Sequence, residues 1–241
     1  SQWSEAGSEY VGHFCDPAYE AANLRNSFLP RLDRFAKQGL SGRLLDVGCS
    51  VVTFLKAAKE RGWDVQGINL GEQACARTAE SVGCRVHCGT IETAGLEPGS
   101  FDVVHASQVI EHVLDPRAFV QAARRLTRPG GALLLATPVV EPVVFNATFH
   151  LQKWLIPRVS GGRERPFPWA VHYPFHVIVQ TTRSLRLLLE SQGFEIVHIR
   201  LVPWMHFTGM NTKWRAFYHA MNVAFRLTGS GMNVDMLAIR H

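Results

Sequence analysis

Between residues 43 and 138, short apolar runs alternate with amphipathic ones, and glycine or proline marks the breaks. "RLLDVG" reads as a buried strand, and "TFLKAAKERG" as a helix closed by Gly62. "DVQGINL" is a strand, "GEQACARTAESVG" a helix ending at Gly83, and "CRVHCGT" a strand. "SFDVVHASQVI" holds a fourth strand. "DPRAFVQAARRLTRPGG" reads as a helix stopped by Pro129, Gly130 and Gly131, and "ALLLATP" as a fifth strand. Strands alternating with helices of this length imply βαβ units. Their crossovers are right-handed, so the expected fold is α/β: a doubly wound, mostly parallel sheet covered on both faces.

Residues 1–40 read as a helical leader, with Leu24, Phe28, Leu32 and Phe35 at helical spacing. After Pro138 the alternation fails. Residues 139–180 are rich in proline, aromatics and histidine, too apolar to be disordered and too irregular for sheet. A long irregular insertion of this kind is expected to act as a lid. "TTRSLRLLLESQG" then reads as a helix and "FEIVHIRLV" as a sixth strand. "TKWRAFYHAMNVAFRLTG" reads as a basic, aromatic helix and "VDMLAIRH" as a closing seventh strand. The whole chain, 1–241, is taken as one domain with a lid.

Composition narrows the functional classes. At 46% hydrophobic and 19% charged, the chain has the balance of a soluble globular protein. It has no run of 18 apolar residues, so no membrane span is expected. No charged-then-apolar leader opens it, and its five cysteines are odd in number with no CxxC. Both features point to reduced thiols in the cytoplasm. Cys84, His87 and Cys88 fit no common zinc spacing, so no metal is expected. The net charge of +5 is diffuse, which suits an anionic small molecule better than nucleic acid. The oligomeric state is not legible from any of these features.

The first strand and its turn carry the chemistry. Ligands of doubly wound sheets bind at the carboxyl ends of the strands, at the switch point. Gly48 can bring backbone close to a ligand, and the helix that follows offers free N–H groups. Asp46, ending the strand, suits a cationic or hydrogen-bond-donating ligand rather than a pyrophosphate; capping the next helix is its plainer role. G-x-G-x-x-G is absent, which argues against a nicotinamide cofactor.

"LLDVGCSVVTFL" resembles the first motif of the class I S-adenosylmethionine-dependent methyltransferases. "SFDVVHASQVIEHVLDPRAFVQAARRLTRPGGALLLATP" resembles their fourth-strand and post-strand motifs, and "HVIVQTTRSLRLLLESQGFEIV" the helix–strand signature of their small-molecule branch. The resemblance spans roughly residues 10 to 240 and implies S-adenosylmethionine as cofactor, with S-adenosylhomocysteine as product. It implies that Asp46, Gly48 and Ser50 lie beside the amino-acid part of the cofactor. Asn69 would hold the ribose where the family usually has an acid, Leu70 would pack on adenine, and Thr90 and Ile91 would flank its edge. Ser107 and Gln108 would line the methionine side.

The acceptor is expected to be a small molecule whose oxygen, nitrogen or carbon is methylated. Glu111 and His112 match the family's Glu-His pair and are candidate substrate contacts, or a brace for the loop. His172 and His176 are candidate general bases, because histidine takes a proton near neutral pH; a packed structural histidine is the alternative for His176. Arg163 is a candidate to hold an acidic group of the acceptor, with a solvated loop as its plainer role, and Trp169 to wall the acceptor's pocket or to join a small core of the lid itself. Val52 and Asn69 depart from the family's cofactor motifs, which leaves a catalytically impaired binding or scaffold protein as the alternative function.

Overall fold

The computed structural model describes residues 17–49, 52–140, 176–202 and 231–241, together with residues 150, 154, 216, 219, 220 and 223. The helical leader comprises α1 (Pro17–Asn23), a π-helical turn (Leu24–Phe28) and α2 (Leu29–Lys37). Pro30 explains the widened turn. It has no N–H to give the carbonyl of Asn26, one turn back, so the α-helical ladder is interrupted there. The Arg200 guanidinium fills that vacancy, donating to Asn26 O at 2.7 Å.

The sheet follows the expected order of elements: β1 (Arg43–Val47), α3 (Val52–Glu60), β2 (Asp64–Asn69), α4 (Glu72–Val82), β3 (Arg85–Cys88), β4 (Phe101–Ser107), α5 (Pro116–Leu126), β5 (Thr127–Pro138), α6 (Thr182–Ser191), β6 (Phe194–Val202) and β7 (Asn233–Arg240). The seven strands lie in the order β3-β2-β1-β4-β5-β7-β6. The first five are parallel, while β7 inserts antiparallel between β5 and β6. Alternate strand residues feed two cores. Leu45, Val104 and Leu133 pack with α5 and α6 on one face; Leu44, Val103 and Leu134 pack with the leader and α3 on the other.

One boundary differs from the expectation. α5 ends at Leu126, and β5 already begins at Thr127, running through Pro129, Gly130 and Gly131. The Thr127 hydroxyl donates to Ala123 O at 2.8 Å and closes the helix. The β4–β5 register then shifts between Phe101 and Val103, a bulge that absorbs the proline. A Cβ on Gly131 would stand 2.8 Å from Asp102 O, so a residue without a side chain is needed at this approach.

Of the insertion 139–180, His150, Trp154 and its two ends are described, and the ends are pinned together. Val140 N donates to Gln180 O and Val139 N to Met232 O, each at 2.9 Å. Within the expected helix after residue 212, Ala216, His219, Ala220 and Val223 are helical.

Candidate functional site

The chain reverses direction of growth at β1 and β4, so their carboxyl ends form the switch point. Gly48 follows β1 with φ 78°. A Cβ there would lie 2.6 Å from Val109 Cγ2, so glycine is required both by conformation and by the close pass of the loop after β4. The Gly48 and Cys49 N–H groups both donate to Ile68 O, at 2.9 and 3.1 Å, which ties this turn to β2. Ser50 lies outside the described residues. Val52 opens α3 and packs against the core beside Phe54; its backbone is not left-handed. Its methyls therefore have a core contact, which the family pattern alone did not suggest.

At the end of β2, Asn69 Oδ1 accepts from Leu70 N at 2.7 Å. Its Nδ2 is buried and has no partner among the described residues. Next to it, Leu70 is 74% exposed. A buried, unused amide donor beside a bare apolar side chain fits a ribose hydroxyl and an adenine face, so this part of the chain suits the implied cofactor. Thr90 is exposed and bonded to Thr93, its N–H donating to Thr93 Oγ1 at 3.0 Å. Ile91 lies in the core, 2% exposed.

Beyond β4, Gln108 is the one described non-glycine residue with positive φ, at 57°. Such a conformation is strained and persists where the surroundings impose it. Here its N–H donates to Ala136 O at 2.7 Å, and its amide reaches Asn233 Oδ1 at 3.3 Å. The short 3-10 turn Ile110–His112 follows and turns Glu111 inward. Thr137 Oγ1 donates to Glu111 Oε2 at 2.9 Å, while Oε1 has no hydrogen-bond partner among the described residues. Burial raises the Glu111 carboxyl to about 7, against the opposing pull of its hydrogen bonds. The backbone carbonyl of Glu111 accepts from Val177 and Ile178, at 2.8 and 3.2 Å, and this brings the end of the insertion to the same place. The His112 and His176 rings meet edge to face at 5.0 Å. One ligand atom from each of Glu111, His112 and His176 lies within 4.8 Å of the others. Such a trio can share a proton or hold a divalent cation, a possibility that spacing along the chain does not suggest. His172, Arg163 and Trp169 lie outside the described residues.

A buried polar cluster on the opposite face of the sheet went unrecognised in the sequence. Asp46, 5% exposed, receives His105 Nδ1 at 2.7 Å. Arg31, from α2, contacts His105 Nε2 at 3.2 Å, donates to Ser107 Oγ at 3.1 Å, and pairs with Asp235 of β7 at 2.8 Å. Asp46 and Ser107, both read as cofactor contacts, thus also have inward partners. The available signal was a histidine and an aspartate breaking apolar strands, "DVVHAS" and "VDMLAI". A cavity of about 710 Å³ opens instead at the amino ends of β4 and β5, lined by Arg124, Arg125 and Arg240, on the rim away from this site.

Comparisons with known proteins agree with this architecture. The family model described as a methyltransferase domain matches residues 19–199. The ubiquinone biosynthesis O-methyltransferase of Pseudomonas paraeruginosa is 32% identical over 169 residues, covering 65% of this chain and 68% of that protein. The protein of the same name from Idiomarina loihiensis is 42% identical over 144 residues, covering 57% and 56%. A solved S-adenosylmethionine-dependent methyltransferase of Thermotoga maritima superposes over 99% of this chain and 98% of its own, with a TM-score of 0.62 at 19% identity. Domain match, relatives and sheet order converge: the chain belongs to the class I S-adenosylmethionine-dependent methyltransferases.

Proposed function

We propose that the enzyme methylates an oxygen of an anionic small molecule in the cytoplasm, with the Glu111, His112 and His176 cluster receiving the acceptor. The observation that carries this reading is the buried Glu111 carboxyl, raised to about 7, set against two imidazoles at the end of β4. Bound S-adenosylmethionine supplies a methyl group already activated on a sulfonium. The protein then has to align the acceptor, exclude water and take a proton from a hydroxyl. In this reading His176 takes that proton and Glu111 stabilises the resulting imidazolium or holds the acceptor's hydroxyl, a division of roles supported by their ligand atoms lying within 4.8 Å of one another. Asn69 and Leu70 would hold the nucleoside, and the turn at Gly48 the amino-acid part. The relatives' names support oxygen as the atom methylated. Among the described residues, no helix is long and apolar enough to cross a membrane.

The clustering of ligand atoms within 4.8 Å favours a second reading of the same site, in which a divalent cation polarises the acceptor hydroxyl. One assay separates the two. Transfer of labelled methyl to a panel of phenols, catechols and amines is followed before and after chelation, with magnesium or zinc restored. Label in an aryl ether, retained after chelation, supports the proton-sharing cluster; loss and recovery with metal supports the cation. Label in an amine overturns oxygen as the acceptor, and cofactor binding without any transfer supports the impaired, binding-only alternative.

The ribose contact gives a separate expectation. Asn69→Asp keeps one oxygen for Leu70 N and turns the other, charged, toward the place of Nδ2. S-adenosylhomocysteine should bind roughly fivefold tighter by calorimetry, since a charge-assisted hydrogen bond adds about 1 kcal/mol. Weaker binding would show that the amide donor itself grips the ligand.

A further inference from the structure

We propose that Arg31 and His105 are positioning residues for the cofactor site: a buried, one-directional hydrogen-bond relay from the leader helix that fixes the Asp46 carboxylate beneath the loop after β1. The inference rests on the reading that this loop receives the cofactor.

The direction of the relay follows from donor chemistry. A guanidinium has N–H donors and no acceptor. Arg31 Nη1 lies 3.2 Å from His105 Nε2, so Nε2 must be the accepting nitrogen. The proton then sits on Nδ1, which donates to Asp46 Oδ1 at 2.7 Å. Every bond in the series points toward Asp46. Burial drives His105 toward its neutral form, which the same bonds require; Asp46 opposes that drive and Arg31 adds to it.

The surroundings hold each member in place. Phe54 stacks on the His105 ring at 3.9 Å and 27°, which fixes the ring plane. Asp235 Oδ1 binds Arg31 Nη2 at 2.8 Å, and Ser107 Oγ accepts from Nη1 at 3.1 Å. Asp46 and His105 are register partners on β1 and β4, the two strands that flank the switch point. Arg31, Asp46, His105 and Asp235 are each at most 7% exposed. Burying four such groups is costly, and replacing paired buried charges by apolar packing is often neutral or stabilising. A stability role alone accounts poorly for a series that converges on one carboxylate at the cofactor loop. A defined tautomer and a single carboxylate orientation are what a site gains when it must present a fixed negative charge to a cationic ligand.

The test uses the full chain and two readouts. Nitrogen-15 spectra of the histidine rings should show His105 as a neutral, Nδ1-protonated ring at neutral pH. In the double variant Arg31→Met, Asp235→Asn, which removes both charges together so that neither is left unpaired, His105 should keep Nδ1–H against Asp46 but take a second proton on Nε2 at higher pH than in the native chain, because the guanidinium that held Nε2 unprotonated is gone. S-adenosylhomocysteine should then bind about tenfold more weakly by calorimetry, the scale of one lost hydrogen bond to a charged group. His105→Asn keeps an N–H donor near the place of Nδ1 and should retain native affinity; His105→Leu should show the same tenfold loss. The inference is overturned if the tautomer is Nε2-protonated, if the double variant leaves ring and affinity unchanged, or if His105→Asn and His105→Leu bind alike. Absence of binding by the native protein would sink the cofactor-site reading along with it.

Discussion

In chelator-treated protein, Glu111→Gln should gain stability relative to the native chain by about 3 kcal/mol as the pH rises from 4.5 to 8, measured by denaturant titration at each pH. The carboxyl is raised to about 7 from 4.5 by burial. Each pH unit between those two values is worth about 1.4 kcal/mol of preference for the protonated form in the folded protein. The sign follows from proton counting. Between pH 4.5 and 7 the folded protein holds a proton that the unfolded chain has released, so native stability falls as pH rises through that window. Above pH 7 the cost of the buried charge is fully present; below 4.5 it is absent. Glutamine does not titrate, so the difference between the two chains isolates this one group. The constant offset, which includes the bond from Thr137, cancels in the comparison. A difference that stays flat across the window would mean that Glu111 is solvated or paired in the native state.

The second large effect concerns His176. His176→Ala should lower turnover about a hundredfold, the low end of a general base's contribution, while leaving S-adenosylhomocysteine affinity within twofold. Its ring meets His112, and its ligand nitrogen falls within 4.8 Å of those of Glu111 and His112. Equal losses of turnover and cofactor binding would instead mark His176 as a structural brace for the loop at Glu111. In the cation reading the same variant should also lower the affinity for the activating metal, which a titration after chelation reads directly.

The frame of the fold was legible because strand and helix repeat with different periods, and each break is marked by glycine or proline. Gly62 and Gly83, read as helix ends, both adopt the left-handed conformation after α3 and α4. The Pro129-Gly130-Gly131 signal misled on location. A hydroxyl at Thr127 ended the helix first, and the proline was taken up in a bulge. The π-helical turn before Pro30 was hidden because its cause is shared between the proline and Arg200, which lies far along the chain. Within the candidate site, Asn69 and the Glu-His pair were singled out by position in a pattern. The Arg31–His105–Asp46 series was not, since its members are brought together from three separate elements. Local sequence shows that His105 interrupts an apolar strand; it does not show which partner satisfies it.

The insertion of β7 between β5 and β6 has a consequence for how the molecule is assembled during synthesis. β6 leaves the ribosome first, yet its hydrogen-bonding neighbour in the sheet is a strand that comes more than thirty residues later. Until β7 arrives, β5 presents an open apolar edge and β6 has no strand to pair with, the condition in which nascent sheets are prone to stray pairing. Asp235 travels on that late strand, 204 positions after the arginine it binds. The half that carries the cofactor loop can therefore form its own contacts early, but the buried charge beneath it is balanced in the final step. A chain stalled before β7 would hold Arg31 against His105 and Ser107 with its carboxylate partner missing, leaving the site unfinished at the point where it meets the leader.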